Sequence, residues 1–365
     1  MEVVIRVWKR EIAFQPDPDL VRSLRPNIKR KVFSYDTPEA LRETPNKLPN
    51  KPTYVGMTYT NNIGLRMKDN VVPLKENEER ILILGDSFTE GLDFDIGYRF
   101  SDLTQKILDQ TSKGKKRFRI INGGIQNGSP SQYLLMLPIY LRMIRPKYVV
   151  LFVSPNDSYE DFLWEQNPGF IFNSQGFPVS PKKKLKLWII QKSWFLRYFE
   201  VLISRYAYRL SALLSSPTLK GNELHWSSLY CKKTQSARNW FKKKTGRYLL
   251  KLKRLAEKSK VKFALMLIHY HYIFKSEPSY YPSFENIFIK KGCLESKGKY
   301  YNEFINTFLK KNKIQNRNSY SSFLNAKDKN PEIKLWNYYD YHFSPEGHKL
   351  MSEEFYILLQ KTLPN

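Results

Sequence analysis

A chain of 365 residues is long enough to bury a full core, either as one large domain or as two small ones. With 41% apolar and 15% aromatic residues it is not a disordered protein. Two cysteines, Cys231 and Cys293, are too few for a disulfide framework and leave the redox compartment open.

The formal net charge of +27 is unevenly spread: residues 181–260 hold 21 Lys or Arg against three acids, Glu200, Glu223 and Glu257. Such a region attracts anionic surfaces such as membranes, acidic glycans or nucleic acid; its plain alternative is a Lys-rich face in solvent with no partner. No run reaches the roughly 20 apolar residues of a transmembrane helix. The start, Met1 to Arg10, has an early acid and a short apolar run, unlike a secretory signal peptide. The other reading of that start is the tail of a membrane segment whose beginning lies outside the sequence.

In chain order, residues 1–80 read as a mostly irregular lead-in, broken by prolines at 16, 18, 26, 38, 45, 49, 52 and 73, with a turn at Asn61-Asn62-Ile63-Gly64. From residue 81 the pattern is α/β. Ile81 to Leu84 is a buried strand, Tyr98 to Gln110 a helix, Phe118 to Ile121 a second strand, Gln132 to Met143 a helix, and Tyr148 to Val153 a continuous apolar third strand. A basic helical insertion occupies about 160–235. In it, Ser193 caps a helix running to about Leu214, whose broad apolar face is either packed on the domain or laid in a bilayer interface. Trp240 to Lys258 reads as one basic helix, Val261 to Ile268 as a fourth strand, Tyr300 to Lys311 as a helix, Lys334 to Trp336 as a short last strand, and Gly347 to Leu359 as the closing helix. Strands alternating with helices predict a mainly parallel sheet covered on both faces, a three-layer α/β/α domain over 81–365.

Four short blocks fall at strand ends or before the last helix: Gly85-Asp86-Ser87, Asn122-Gly123-Gly124, Asn156-Asp157 and Asp340-Tyr341-His342. In that order they resemble the SGNH (GDSL-type) hydrolase superfamily over roughly residues 81–360, whose fold is flavodoxin-like. The segments around Pro16 to Leu20 and Asn62 to Arg66 also look like bacterial members in which the domain follows a membrane anchor, which implies a membrane-associated or periplasmic setting. A Ser hydroxyl is a poor nucleophile unless a base takes its proton, so Ser87 needs His342; the imidazole needs an orienting acceptor, which Asp340 supplies. The resemblance implies an oxyanion hole from the Ser87 N–H, an N–H of the second block at Asn127 or Gly128, and the Asn156 side chain. Two departures from the family stand out. Asn127 falls where a Gly is usual, and Asp-x-His replaces the commoner Asp-x-x-His, a shorter form found in members related to polysaccharide acetylation.

Each block also has a plain reading: Gly-Asp-Ser as a turn capping the next helix, Asn156-Asp157 as an Asx-turn, His342 as a loop histidine, and His348 as a packing or capping residue. An α/β-hydrolase would want Gly where Thr89 stands, and its Asp and His usually lie far apart. His269 and His271 share a face, but a metal site there lacks an evident third ligand, and the chemistry calls for no cofactor. The expected function is therefore a serine esterase, acyl hydrolase or O-acyltransferase on an acylated glycan or lipid. The alternative is a catalytically weak SGNH scaffold that binds an anionic membrane or polymer through residues 181–260. Nucleic-acid binding is disfavoured, because charge alone comes with no recognition module.

Overall fold

The structure is a computed structural model that describes residues 14–17, 19–34, 54–91, 94–111, 117–166, 170–181, 184–193, 196, 229, 235–270, 298–337 and 342–363. Its centre is a five-stranded sheet made of β5 (Glu78–Leu84), β6 (Arg117–Asn122), β7 (Tyr148–Val153), β10 (Lys262–Leu267) and β11 (Gln315–Asn318), in the order β11-β10-β7-β5-β6. Every pairing is parallel, with Ile81 opposite Ile120 on one side and Tyr148 on the other. Residues 81–84 and 148–153 are buried throughout, which is why they read as unbroken apolar runs rather than alternating ones.

This is the flavodoxin-like order, in which the chain moves from β5 outward to β6 and then back across β5 to β7. Parallel crossovers of this kind are right-handed as a rule and put helices on both faces. On one face, α2 (Phe100–Thr111) packs against the closing helix α10 (Pro345–Thr362), with Phe100 and Phe355 at 4.7 and 5.0 Å from the β7 ring of Phe152. On the other, α3 (Pro130–Ile144) packs against α7 (Thr245–Lys258). The result is a three-layer α/β/α fold. Reversal of strand order between β5 and β7 opens a crevice at their C-terminal ends, and such crevices are where these folds bind ligands.

The lead-in has order of its own. β1 (Phe14–Asp17) pairs with β2 (Val21–Leu24), and β3 (Lys29–Ser34) with β4 (Tyr54–Tyr59), both antiparallel. The expected turn at Asn61 is present: its side chain accepts from the N–H groups of Ile63 and Leu65, and Gly64 takes φ +78°. Arg66 follows, fully buried. Its guanidinium donates to the carbonyls of Glu90, Gly91 and Phe94, which ties the lead-in to α1 (Ser87–Glu90).

Three expectations are corrected. Lys334 to Trp336 does not form the last strand of the sheet; Trp336 makes a single bridge to Phe343, and the fifth strand is the polar Gln315–Asn318. This strand lies at the sheet edge, where Arg317 pairs with Glu354 of α10 at 2.6 Å. It is followed by α9 (Tyr320–Lys329), which the sequence reading left out. Finally, the basic helix read from Trp240 is two helices, α6 (Gln235–Lys243) and α7, broken at Lys244. There the Thr245 hydroxyl donates to Asp161 at 2.8 Å and pulls the start of α7 onto α4 (Asp157–Gln166).

Beyond α4, β8 (Phe170–Phe172) and β9 (Pro178–Pro181) form a hairpin, followed by α5 (Lys184–Lys192). The Ser193 hydroxyl accepts from the Leu196 N–H at 3.3 Å, in keeping with a cap. The rest of the expected helix to Leu214 lies outside the described residues, as do Met1 to Arg10, Cys231, Cys293 and His271. α8 (Lys299–Lys311) matches the helix expected there.

Candidate active site

The β5 strand delivers Gly85-Asp86-Ser87 into the crevice. A side chain at Gly85 would meet Thr89 Oγ1 at 2.0 Å, so only glycine lets the chain fold back this tightly. Asp86 caps α1: its Oδ1 accepts from the Phe88 N–H at 3.0 Å, and Gly91 ends the helix in the left-handed conformation. Ser87, the first residue of this single turn, is half-buried, with its hydroxyl at the crevice.

His342 comes from the far end of the chain. Its Nε2 lies 2.7 Å from Ser87 Oγ across 255 residues of sequence. The segment that carries it is held at both sides: the Asn337 N–H donates to the His342 carbonyl at 2.8 Å, the Ser344 N–H to the Leu335 carbonyl at 3.1 Å, and Ser344 caps α10. The ring packs 5.0 Å from Phe88, which also touches Phe343 and Tyr270. Asp340 and its neighbours 338–341 lie outside the described residues.

Asn156, at the end of β7, faces the same crevice. Its Nδ2 donates to Asp86 Oδ2 at 3.1 Å, and the Ser154 hydroxyl reaches the same carboxylate at 2.7 Å and also contacts Asn156 Oδ1. Asp86 is thus a hub beside Ser87, bonded to Ser154 and Asn156 as well as capping α1. Its signal in the sequence lay in the two polar residues Ser154 and Asn156 flanking Pro155 after an all-apolar strand. Burial raises the Asp86 carboxyl above its ordinary range, against the Ser154 and Asn156 hydrogen bonds and the charge of His342, which pull it down.

Two more buried acids extend this layer. Asp157 accepts from the Ser154 N–H at 2.9 Å and is pushed well up by burial and by the charge of Asp86. Asp161 accepts from the Ser131 N–H at 2.9 Å and from the Thr245 hydroxyl, and burial raises it to about 6.

The second block forms the wall opposite β7. Gly124 lies so close to α1 that a side chain there would meet the Glu90 nitrogen at 2.4 Å. The loop's N–H groups are almost all engaged: Gly123 to the Ile83 carbonyl, Gly124 to Asn122 Oδ1, Ile125 to the Gly85 carbonyl, Gln126 to Glu90 Oε2, and Gly128 to the Ile125 carbonyl. Asn127 sits at the turn with φ +54°, a conformation Asn tolerates better than most residues. Among the described residues, the N–H groups of Ser87 and Asn127 take no hydrogen bond.

The two other described histidines, His348 and His269, have partners of their own. His348 is buried, accepts from the Phe100 N–H at 3.2 Å, and is lowered to about 3 by burial, so its ring is neutral. His269 bonds Asn318 at 2.7 Å and is lowered to about 4, again by burial. Among the described residues no cluster of three His, Cys, Asp or Glu could hold a metal ion.

No family model matches the chain, and no curated protein matches it. Several solved structures are similar in fold. A psychrotrophic esterase, EstA, from Pseudoalteromonas sp. is 16% identical, with 80% of this chain and 100% of that one covered at a TM-score of 0.40. A catalytic mutant of an acetylxylan esterase from Geobacillus stearothermophilus is 12% identical, over 78% and 96%, at 0.43. A GDSL-like lipase from Bacteroides thetaiotaomicron is 15% identical, over 80% and 92%, at 0.38.

Proposed function

We propose that this chain is a serine hydrolase of ester bonds of the SGNH type, an esterase or an O-acyltransferase, acting on an acylated glycan or lipid. The observation that carries the proposal is the 2.7 Å contact between His342 Nε2 and Ser87 Oγ in the crevice at the sheet's switch point. In the mechanism, His342 Nε2 takes the proton as Ser87 Oγ attacks the ester carbonyl. The tetrahedral oxyanion accepts hydrogen bonds from the Ser87 N–H and from the second amide proton of Asn156. The third donor is the Asn127 N–H; the engagement of the Gly128 N–H with Ile125 supports Asn127 over its neighbour. His342 then protonates the leaving alcohol, and water or a sugar hydroxyl resolves the acyl-enzyme with the same histidine as base. Asp340, two residues before His342, is assigned to orient the imidazole and stabilise its cation.

The layer of Asp86, Ser154 and Asn156 supports this reading, since it fixes the amide of Asn156 before substrate arrives. Such preorganisation is what makes an oxyanion donor effective. The test is turnover of p-nitrophenyl acetate by Ser87→Ala. The expected loss is on the order of 10⁴-fold or more, as for other nucleophile deletions; unchanged turnover would remove Ser87 from the mechanism.

A further inference from the structure

Six of the ten large apolar side chains exposed among the described residues fall between 171 and 196: Ile171, Val179, Leu185, Trp188, Ile189 and Leu196. Three of them belong to α5. Leu185 is 70% exposed, Trp188 50% and Ile189 41%, while Ile190 is 5% exposed and faces the body of the protein, where the helix packs beside β1. At 100° per residue, Leu185, Trp188, Ile189 and Lys192 share one stripe about 100° wide, turned away from Ile190. Lys192 and Lys186 are both exposed. The stretch 182–192 contains Lys182, Lys183, Lys184, Lys186 and Lys192 and no acid. Ile171 and Val179 sit on the β8–β9 hairpin that precedes the helix, and Leu196 lies just past its end.

A soluble surface seldom leaves Trp and Leu together on one helical face. A second copy of the chain is a poor occupant for this one, because each copy brings a net charge of +27 and the same lysines to the contact. An anionic lipid surface satisfies both halves of the face: acyl chains take the apolar stripe, Trp188 sits at headgroup depth, and the lysines meet lipid phosphates. We propose that α5, with the β8–β9 hairpin beside it, is a docking element that lays this protein on an anionic bilayer without crossing it. Consistently, among the described residues no helix is long and apolar enough to cross a membrane. The inference rests on the exposed stripe and its lysines, independently of the reading of Ser87.

The test is flotation of the full chain with vesicles of phosphatidylcholine containing about a third phosphatidylglycerol, against vesicles of phosphatidylcholine alone. At low salt the bound fraction is expected to be at least about tenfold higher on the anionic vesicles and to fall as salt screens the lysines. Leu185→Ser with Trp188→Ser is expected to lower it at least about tenfold, and Lys186→Glu with Lys192→Glu to abolish the preference for anionic lipid. Turnover of a soluble ester and the melting temperature, measured on the same variants, report that the fold is intact. Absence of flotation on anionic vesicles, or equal flotation of wild type and the apolar double variant, overturns the proposal. So does a dimer in light scattering that the apolar double variant converts to monomer, because the occupant is then a second copy.

Discussion

The crevice at Ser87 and the helix at Trp188 treat polar and apolar groups in opposite ways. In the crevice, Asp86, Ser154 and Asn156 bond one another, five N–H groups of the loop after β6 are engaged, and among the described residues the N–H groups of Ser87 and Asn127 make no hydrogen bond. On α5, apolar side chains that could have been buried stand in solvent beside exposed lysines. The difference teaches how to tell a reaction centre from a contact surface. A reaction centre is a closed polar network with a few vacancies of one sign, costly to leave unfilled in a low dielectric. A contact surface is an open face whose groups are each tolerable alone and unusual only together.

The largest of these effects is expected at Asn156. If its amide is an oxyanion donor, Asn156→Ala lowers kcat for p-nitrophenyl acetate by about 10²–10³ with a far smaller change in KM, because the bond forms chiefly in the transition state. A change confined to KM would make Asn156 only a part of the Asp86 network.

The buried acids give a smaller effect that reads the polar layer itself. Asp161 is raised to about 6 from an ordinary 3.8, so its protonated form favours the folded state. Its contribution is fully present below pH 3.8 and is lost as pH rises through about 6. His269 and His348 work the other way: they are lowered to about 4 and about 3, and what they contribute is present above pH 6.5 and lost as pH falls through those values. The difference between Asp161→Asn and wild type isolates the carboxyl. Across pH 4 to 7.5, the melting temperature of the variant is expected to rise relative to wild type, by the equivalent of up to about 3 kcal/mol. Parallel curves would mean that Asp161 titrates normally.

The smallest expected effect is on the other side of the comparison. Exposed substitutions on α5 change soluble-ester turnover by less than about twofold, in line with the small effects typical of surface sites. A large loss would show that α5 communicates with the crevice and that the two regions are not separate.

How much was legible in the sequence follows from what each element buries. β5, β7 and β10 were readable because residues 81–84, 148–153 and 263–267 are covered on both faces and so are unbroken apolar runs. Ser87 and His342 stood out because polar residues there follow such a strand or precede a capped helix, and the structure brings their side chains into contact. β11 was not: Gln315-Asn316-Arg317-Asn318 is a polar edge strand held by partners such as Glu354 that lie far away in sequence. Lys334 to Trp336 carried the apolar residues expected of a strand, but Trp336 is buried through its bridge to Phe343 and its ring contact with Phe323 rather than in the sheet. The break at Lys244 had a weak local signal in Thr245-Gly246, and the Thr245 bond to Asp161 on another helix could not be read from the sequence. The hub role of Asp86 was hidden for the same reason, since its partners come from the next strand but one along the chain.

On the proposed mechanism Ser87 is the nucleophile and His342 its base. Its most direct measurement is mass-spectrometric mapping of the adduct formed with a fluorophosphonate, which reacts with an activated serine whatever the natural substrate. A single modified site is expected, on the peptide containing Ser87, with labelling abolished in Ser87→Ala and in His342→Ala. An adduct on a different serine, or labelling that survives both substitutions, would contradict it.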